Sequence, residues 1–187
     1  MTSRSKTLLL CEGAVAVALA VALSYLKIDV GAQGGSLNFA MVPIILFAVH
    51  AGGVGWGLLA GFVFGTLKYF IGEGFAINLG SFILDYSVAY AAVGLAGLLR
   101  RKDGNSPANY LLGALLGCLA RFIIHFISGL TIYAEYFADT YLGVGGLSIF
   151  TYSALYNGFY MLFNTIAAVI LCPLIGIALE KAKLQSK

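Results

Sequence analysis

Arg121, His125, Gly129 and Tyr133 stand four residues apart in the run Arg121-Phe-Ile-Ile-His125-Phe-Ile-Ser-Gly129-Leu-Thr-Ile-Tyr133. On a helix that spacing draws one gently drifting stripe. A cation and an imidazole then share a face among Phe, Ile and Leu. Two further apolar runs carry Asp85-Tyr86 and the set Tyr152, Ser153, Tyr156 and Asn157. A carboxylate, an imidazole, an amide and aromatic faces suit a flat, heteroaromatic, hydrogen-bonding solute. A carboxylate beside electron-rich rings also favours a cationic ring.

Other chemistries are poorly served. Cys11, Cys118 and Cys172 lie far apart, with no Cys-x-x-Cys or Cys/His cluster, so neither a metal site nor a disulfide framework is expected. No phosphate-binding loop occurs, so the chain does not hydrolyse ATP itself. Hydrolysis within a membrane would need a nucleophile–base pair or paired carboxylates. The only other histidine, His50, falls at the opposite end of the protein. No catalytic residue and no cofactor is therefore assigned. A channel would need rings of like groups along a continuous path, whereas these polar groups stop near mid-depth.

The elements that must position these groups follow from composition. The chain has 187 residues, of which 60% are hydrophobic and 10% charged. Soluble domains carry about a quarter charged residues. So few charges cannot cover a globule, and the chain reads as an integral membrane protein lodged in a lipid bilayer. Its apolar runs are long and do not alternate polar with apolar, which indicates helices rather than a barrel. The net charge of +3 points to no nucleic acid, because its positions follow a membrane rule instead.

The expectation is an all-α integral membrane protein, one domain over 1–187. Its six transmembrane helices span about 8–26, 37–50, 56–71, 76–99, 109–132 and 151–180. The first is kept as a spanning helix because no convincing small-residue cleavage site follows it. Ala14, Ala18 and Ala22 give it a small-residue face for close approach, either inside the fold or by a partner helix. Residues 31–35 read as a flexible loop, and Pro43 shortens or bends the second segment. Gly57, Gly61 and Gly65 form another close-packing face, with Lys68 near its far end.

Arg4, Lys6, Arg100, Arg101, Lys102, Lys181, Lys183 and Lys187 fall on one side of that arrangement. The positive-inside rule makes that side, and both termini, cytoplasmic. Three helices then bring Asp85, Tyr86, His125, Tyr152 and Asn157 to a similar depth in the outer half. Ionisable groups at membrane depth are costly unless paired or facing a cavity. Arg121, a turn deeper than His125, has Asp85 as its obvious ion-pair partner. A structural scaffold or a membrane enzyme built on the Asp85/Arg121 pair is the alternative from a different class. No basic cluster on the outer side awaits a phosphate, which favours an unphosphorylated solute.

These pieces resemble a known family, the thiamine-specific substrate-binding (S) components of energy-coupling-factor (ECF) vitamin transporters. The likeness spans essentially the whole chain. It runs through the Ala-rich first helix, Gly34-Gly-Ser-Leu-Asn-Phe-Ala-Met-Val-Pro43 and Leu84-Asp85-Tyr86…Gly94-Leu-Ala-Gly97. It continues through Arg121…His125-Phe-Ile-Ser-Gly129 and Tyr152-Ser-Ala-Leu-Tyr156-Asn157-Gly158. The resemblance implies capture of extracellular thiamine in the bacterial cell membrane. Its implied partners are a membrane coupling subunit and two cytoplasmic ATPases, with Ala14, Ala18 and Ala22 as the docking face. It also implies that Asp85 bonds the aminopyrimidine, His125 contacts the ligand, and Gly129 leaves room for it. Tyr133 would stack on the ligand, Tyr86 would line the site, and Tyr152 and Asn157 would complete the pyrimidine contacts. Asp85 stands where the family often has Glu, and Tyr133 where it usually has Trp. An S component for another heteroaromatic vitamin or precursor is the nearest alternative.

Overall fold

In lipid, a backbone N–H or C=O finds no partner except in its own helix, so long apolar runs become helices. The structure is a computed structural model that describes residues 5–30 and 35–185, without the side chains of Glu73, Lys183 and Leu184. Residues 31–34 of the loop expected at 31–35 and the charges of Arg4 and Lys187 lie outside the described residues, as does the side-chain charge of Lys183.

Helix α1, Lys6–Ser24, starts where the Ser5 hydroxyl accepts from the amide of Leu8 at 3.2 Å. Helix α2, Met41–Phe47, continues through a π-helical turn to Gly52, and α3 spans Gly53–Lys68. The next stretch begins as α4, Leu79–Phe82, under an Asn78/Ser81 capping box. It passes through a π-helical stretch at Ile83–Val88 into α5, Ala89–Val93, and ends in a 3₁₀ stretch, Gly94–Leu99. Helix α6, Pro107–Thr131, is opened by Ser106 and by Pro107 in its first turn. Helix α7, Ile149–Gln185, contains Pro173.

Among the described residues, five helical stretches are long and apolar enough to cross a membrane: Lys6–Ser24, Met41–Gly72, Leu79–Leu99, Pro107–Thr131 and Ile149–Ala182. The protein is a mostly helical, multi-pass membrane protein. Met41–Gly72 is not one rod. Gly53 has φ of +67°, and a Cβ built on Gly57 would sit 2.8 Å from the Cβ of Ala48. In a continuous helix those positions would lie about 13 Å apart. The chain therefore doubles back at Gly53, where only glycine adopts the required backbone cheaply.

One departure from the all-helical expectation is a small antiparallel hairpin. Strand β1, Ile28–Val30, pairs with β2, Gly35–Leu37, and the helix expected from residue 37 begins at Met41 instead. The hairpin is tied to α7, because the Gly35 amide donates to the Tyr156 hydroxyl at 3.3 Å. Three-residue strands have too little periodicity to be read from sequence.

The glycine face of α3 sets the depth of the next helix. A Cβ on Gly61 would lie 2.1 Å from the carbonyl oxygen of Tyr90, and one on Gly65 would lie 2.1 Å from that of Tyr86. Bare backbone against backbone brings Tyr86 and Tyr90 inward, and both are buried. At the end of the molecule where α2 turns into α3, His50 Nδ1 lies 3.1 Å from both Tyr110 Oη and Glu180 Oε1. Asn105 donates to the same carboxylate oxygen at 2.8 Å. On α1, Gly13, Ala16, Val17 and Ala20 face inward, while Ala14, Ala18 and Ala22 are exposed.

Candidate functional site

Asp85 sits in the π-helical stretch Ile83–Val88, a widened turn of the kind that often marks functional positions in helices. It meets α6 across the bundle. Asp85 Oδ1 is 2.9 Å from His125 Nδ1, and Asp85 Oδ2 accepts from the Ser128 hydroxyl at 2.9 Å. On the far side of the imidazole, Arg121 Nε donates to His125 Nε2 at 3.2 Å. A guanidinium has only donors, so Nε2 must offer its lone pair. The proton then resides on Nδ1 and is donated to Asp85. His125 is a neutral imidazole linking a cation to a carboxylate.

This corrects the expected Asp85–Arg121 ion pair. Arg121 reaches Asp85 through His125, not directly. Its guanidinium carbon is drawn over the ring of Tyr90, 4.0 Å from the centroid, so cation–π attraction takes the place of direct pairing.

These groups line a cavity of about 720 Å³, measured out through its open mouth. Asp85, Tyr86, Arg121, His125, Gly129, Tyr133, Tyr152 and Asn157 all contribute to its wall. Residues from three separated segments thus line one cavity.

Several of these side chains are committed to holding the walls. The Tyr86 hydroxyl donates to the Phe75 carbonyl at 2.9 Å and also contacts the Phe75 amide, leaving its ring to face the cavity. Tyr152 stacks on Tyr156, with ring centroids 6.0 Å apart and planes 14° from parallel. Asn157 Nδ2 donates to the carbonyls of His125 and Ser153 at 3.3 and 3.0 Å, and its Oδ1 accepts from Tyr160 at 2.8 Å. Its amide clamps α7 to α6. Gly129 needs reinterpretation. A Cβ there would lie 2.2 Å from Ser153 Oγ, so its bareness admits α7. Tyr133, just beyond α6, is half-buried at the cavity wall. Burial, followed by the nearby Asp85 carboxylate, pushes its phenol up to about 12.

Sequence reasoning missed Lys68, Tyr90, Ser128 and Tyr136 as wall residues. Lys68 carried a usable signal. It follows Gly65 by three residues, on the face of α3 whose glycines pack against the helix of Tyr86 and Tyr90.

Comparison with known proteins agrees with this architecture. Residues 10–184 match the family described as thiamine transporter protein (Thia_YuaJ). The chain belongs to the thiamine transporter family. Thiamine transporter ThiT of Lacticaseibacillus paracasei is 30% identical over 196 residues, covering 97% of this chain and 92% of that protein. Thiamine transporter ThiT of Bacillus subtilis is 31% identical over 152 residues, covering 76% of each. The solved structure of ThiT from Listeria monocytogenes superposes with a TM-score of 0.77 at 21% identity, covering 96% of this chain and 97% of that one, a likeness of fold. Membership makes the chain a transporter rather than an enzyme, a multi-pass protein of the bacterial plasma membrane.

Proposed function

We propose that this chain captures thiamine from outside the cell as the S component of an ECF-type transporter. The observation that carries the reading is the Asp85–His125–Arg121 relay in the wall of an aromatic cavity, within a chain of the thiamine transporter family. Asp85 accepts from the exocyclic amine of the pyrimidine and attracts the positive thiazolium. His125 and the rings of Tyr86, Tyr133 and Tyr152 enclose the heteroaromatic ligand, with Asn157 and Gly129 setting the spacing of the helices around it.

The membrane arrangement is six crossings with both termini in the cytoplasm, counting 41–52 and 53–72 as separate passes. The reversal at Gly53 and the positive residues concentrated in the sequence at both chain ends and at Arg100–Lys102 support it. The cavity then opens outward. The exposed Ala14, Ala18 and Ala22 face of α1 is the docking face for the membrane coupling subunit, through which two ATPases drive uptake.

Calorimetry of the purified protein against a vitamin panel tests the reading. Tight binding of thiamine alone is expected. Selective binding of another vitamin would transfer the assignment to that solute, and failure to bind any would leave the Asp85–His125–Arg121 relay a structural scaffold.

A further inference from the structure

Among the described residues, four buried side-chain polar atoms lack a hydrogen-bond partner in the protein: Lys68 Nζ, Tyr90 Oη, Arg121 Nη1 and Arg100 Nε. The first three belong to residues lining the cavity just described. Those residues are 4%, 0% and 5% exposed. Native interiors leave few such atoms unpaired, because each costs the full desolvation of the group. An ammonium held at membrane depth is the costliest of them. Three in one cavity call for a common partner.

All three are donors. An ammonium and a guanidinium can only donate, and a phenol can donate. They are also neighbours. Arg121 lies over the Tyr90 ring, and the position of a Cβ on Gly65, one turn before Lys68, is 2.9 Å from Tyr90 Cβ. The charge balance points the same way. The cavity's charged side chains are Lys68, Asp85 and Arg121, and His125 is neutral by its hydrogen bonds, so cations exceed anions. A ligand with a positively charged ring would deepen that excess in a medium of low dielectric.

We propose that Lys68, Tyr90 and Arg121 form an anion-binding subsite in the wall of the cavity. It takes a small oxyanion of the phosphate type, carried as an ester on the transported solute or bound as a free ion beside it. The choice of solute rests on the thiamine reading, while the subsite rests on the three unpartnered donors. It reverses the expectation of an unphosphorylated solute: Lys68 and Arg121 lie on different helices, and only the fold makes them one basic cluster.

Calorimetry on the full chain in detergent, with gluconate as the sole background anion, tests the proposal. The titrants are thiamine, thiamine with added inorganic phosphate, and thiamine monophosphate. The monophosphate binding at least about tenfold tighter than thiamine identifies the ester as the source, as expected for charge-assisted hydrogen bonds in a buried site. A gain of about that size for thiamine on adding phosphate identifies the free ion. In Lys68→Met either gain should collapse, and this variant removes a stranded charge without adding bulk. Equal wild-type affinities under all three conditions overturn the subsite while leaving the transport reading intact, and so does a gain that survives in Lys68→Met. No binding of either solute overturns both.

Discussion

At the residue scale, the site is a line of polarisation rather than an ion pair. Arg121 fixes the imidazole tautomer, the imidazole donates to Asp85, and Ser128 holds the other carboxylate oxygen. The carboxylate is thereby aimed but not neutralised, which suits a cationic heteroaromatic ligand. Asp85→Asn and His125→Ala should each weaken thiamine binding by at least about 1.5 kcal/mol, the scale of hydrogen bonds to charged groups. Calorimetry on both variants checks this, and unchanged affinity in both would remove the pocket assignment. Tyr133 supplies a pH test. Its phenol has an ordinary value of 10.0 and rises to about 12 in the fold, chiefly through burial. Between those values the folded chain keeps a proton that the unfolded chain gives up. The stabilisation present below pH 10 is therefore lost as pH climbs towards 12. Wild type should lose more thermal stability than Tyr133→Phe across that window.

At the element scale, small residues decide which side chains meet. The contact of Gly61 with the Tyr90 carbonyl places α3 against the helix that carries Asp85, Tyr86 and Tyr90. Gly61→Val would force these backbones apart, costing about 1–3 kcal/mol as overpacking typically does. A lowered melting temperature in detergent, accompanied by weaker thiamine binding, is the expected result. Stability equal to wild type would mean that the helices do not meet there. This part of the fold was legible beforehand, since a Gly-x-x-x-Gly stripe states its purpose whatever its partner is. The π-helical stretch at Ile83–Val88 was not legible, because nothing in Ile-Leu-Asp-Tyr-Ser-Val distinguishes it from an ordinary turn. The same holds for the hairpin of β1 and β2, whose pairing depends on anchoring to Tyr156.

At the scale of the whole molecule, the proposed transport reading rests on two surfaces. The cavity is lined by Asp85, His125 and Arg121 among tyrosines, and α1 turns Ala14, Ala18 and Ala22 outward along its length. Ala18→Phe should therefore leave thiamine binding intact and abolish uptake into cells that express the coupling subunit and ATPases. Loss of binding as well would mean that this alanine packs the fold itself, although its exposure argues otherwise.

Sequence alone determined the medium, the helical character and the membership of the stripe. Composition leaves lipid as the only tolerable solvent, and spacing on a helix is geometry that no partner alters. Asp85, His125, Tyr133, Tyr152 and Asn157 come from three separate apolar stretches and line one cavity. Tertiary structure decided who bonds to whom. Arg121 chose the face of Tyr90 and the imidazole over Asp85, and Gly129 proved to serve the approach of α7. Lys68 became part of the wall only when α3 packed down on Tyr86 and Tyr90. Hydrogen bonds and charge contacts depend on differences of a few ångströms between helices, and those distances are set by packing, which periodicity does not encode.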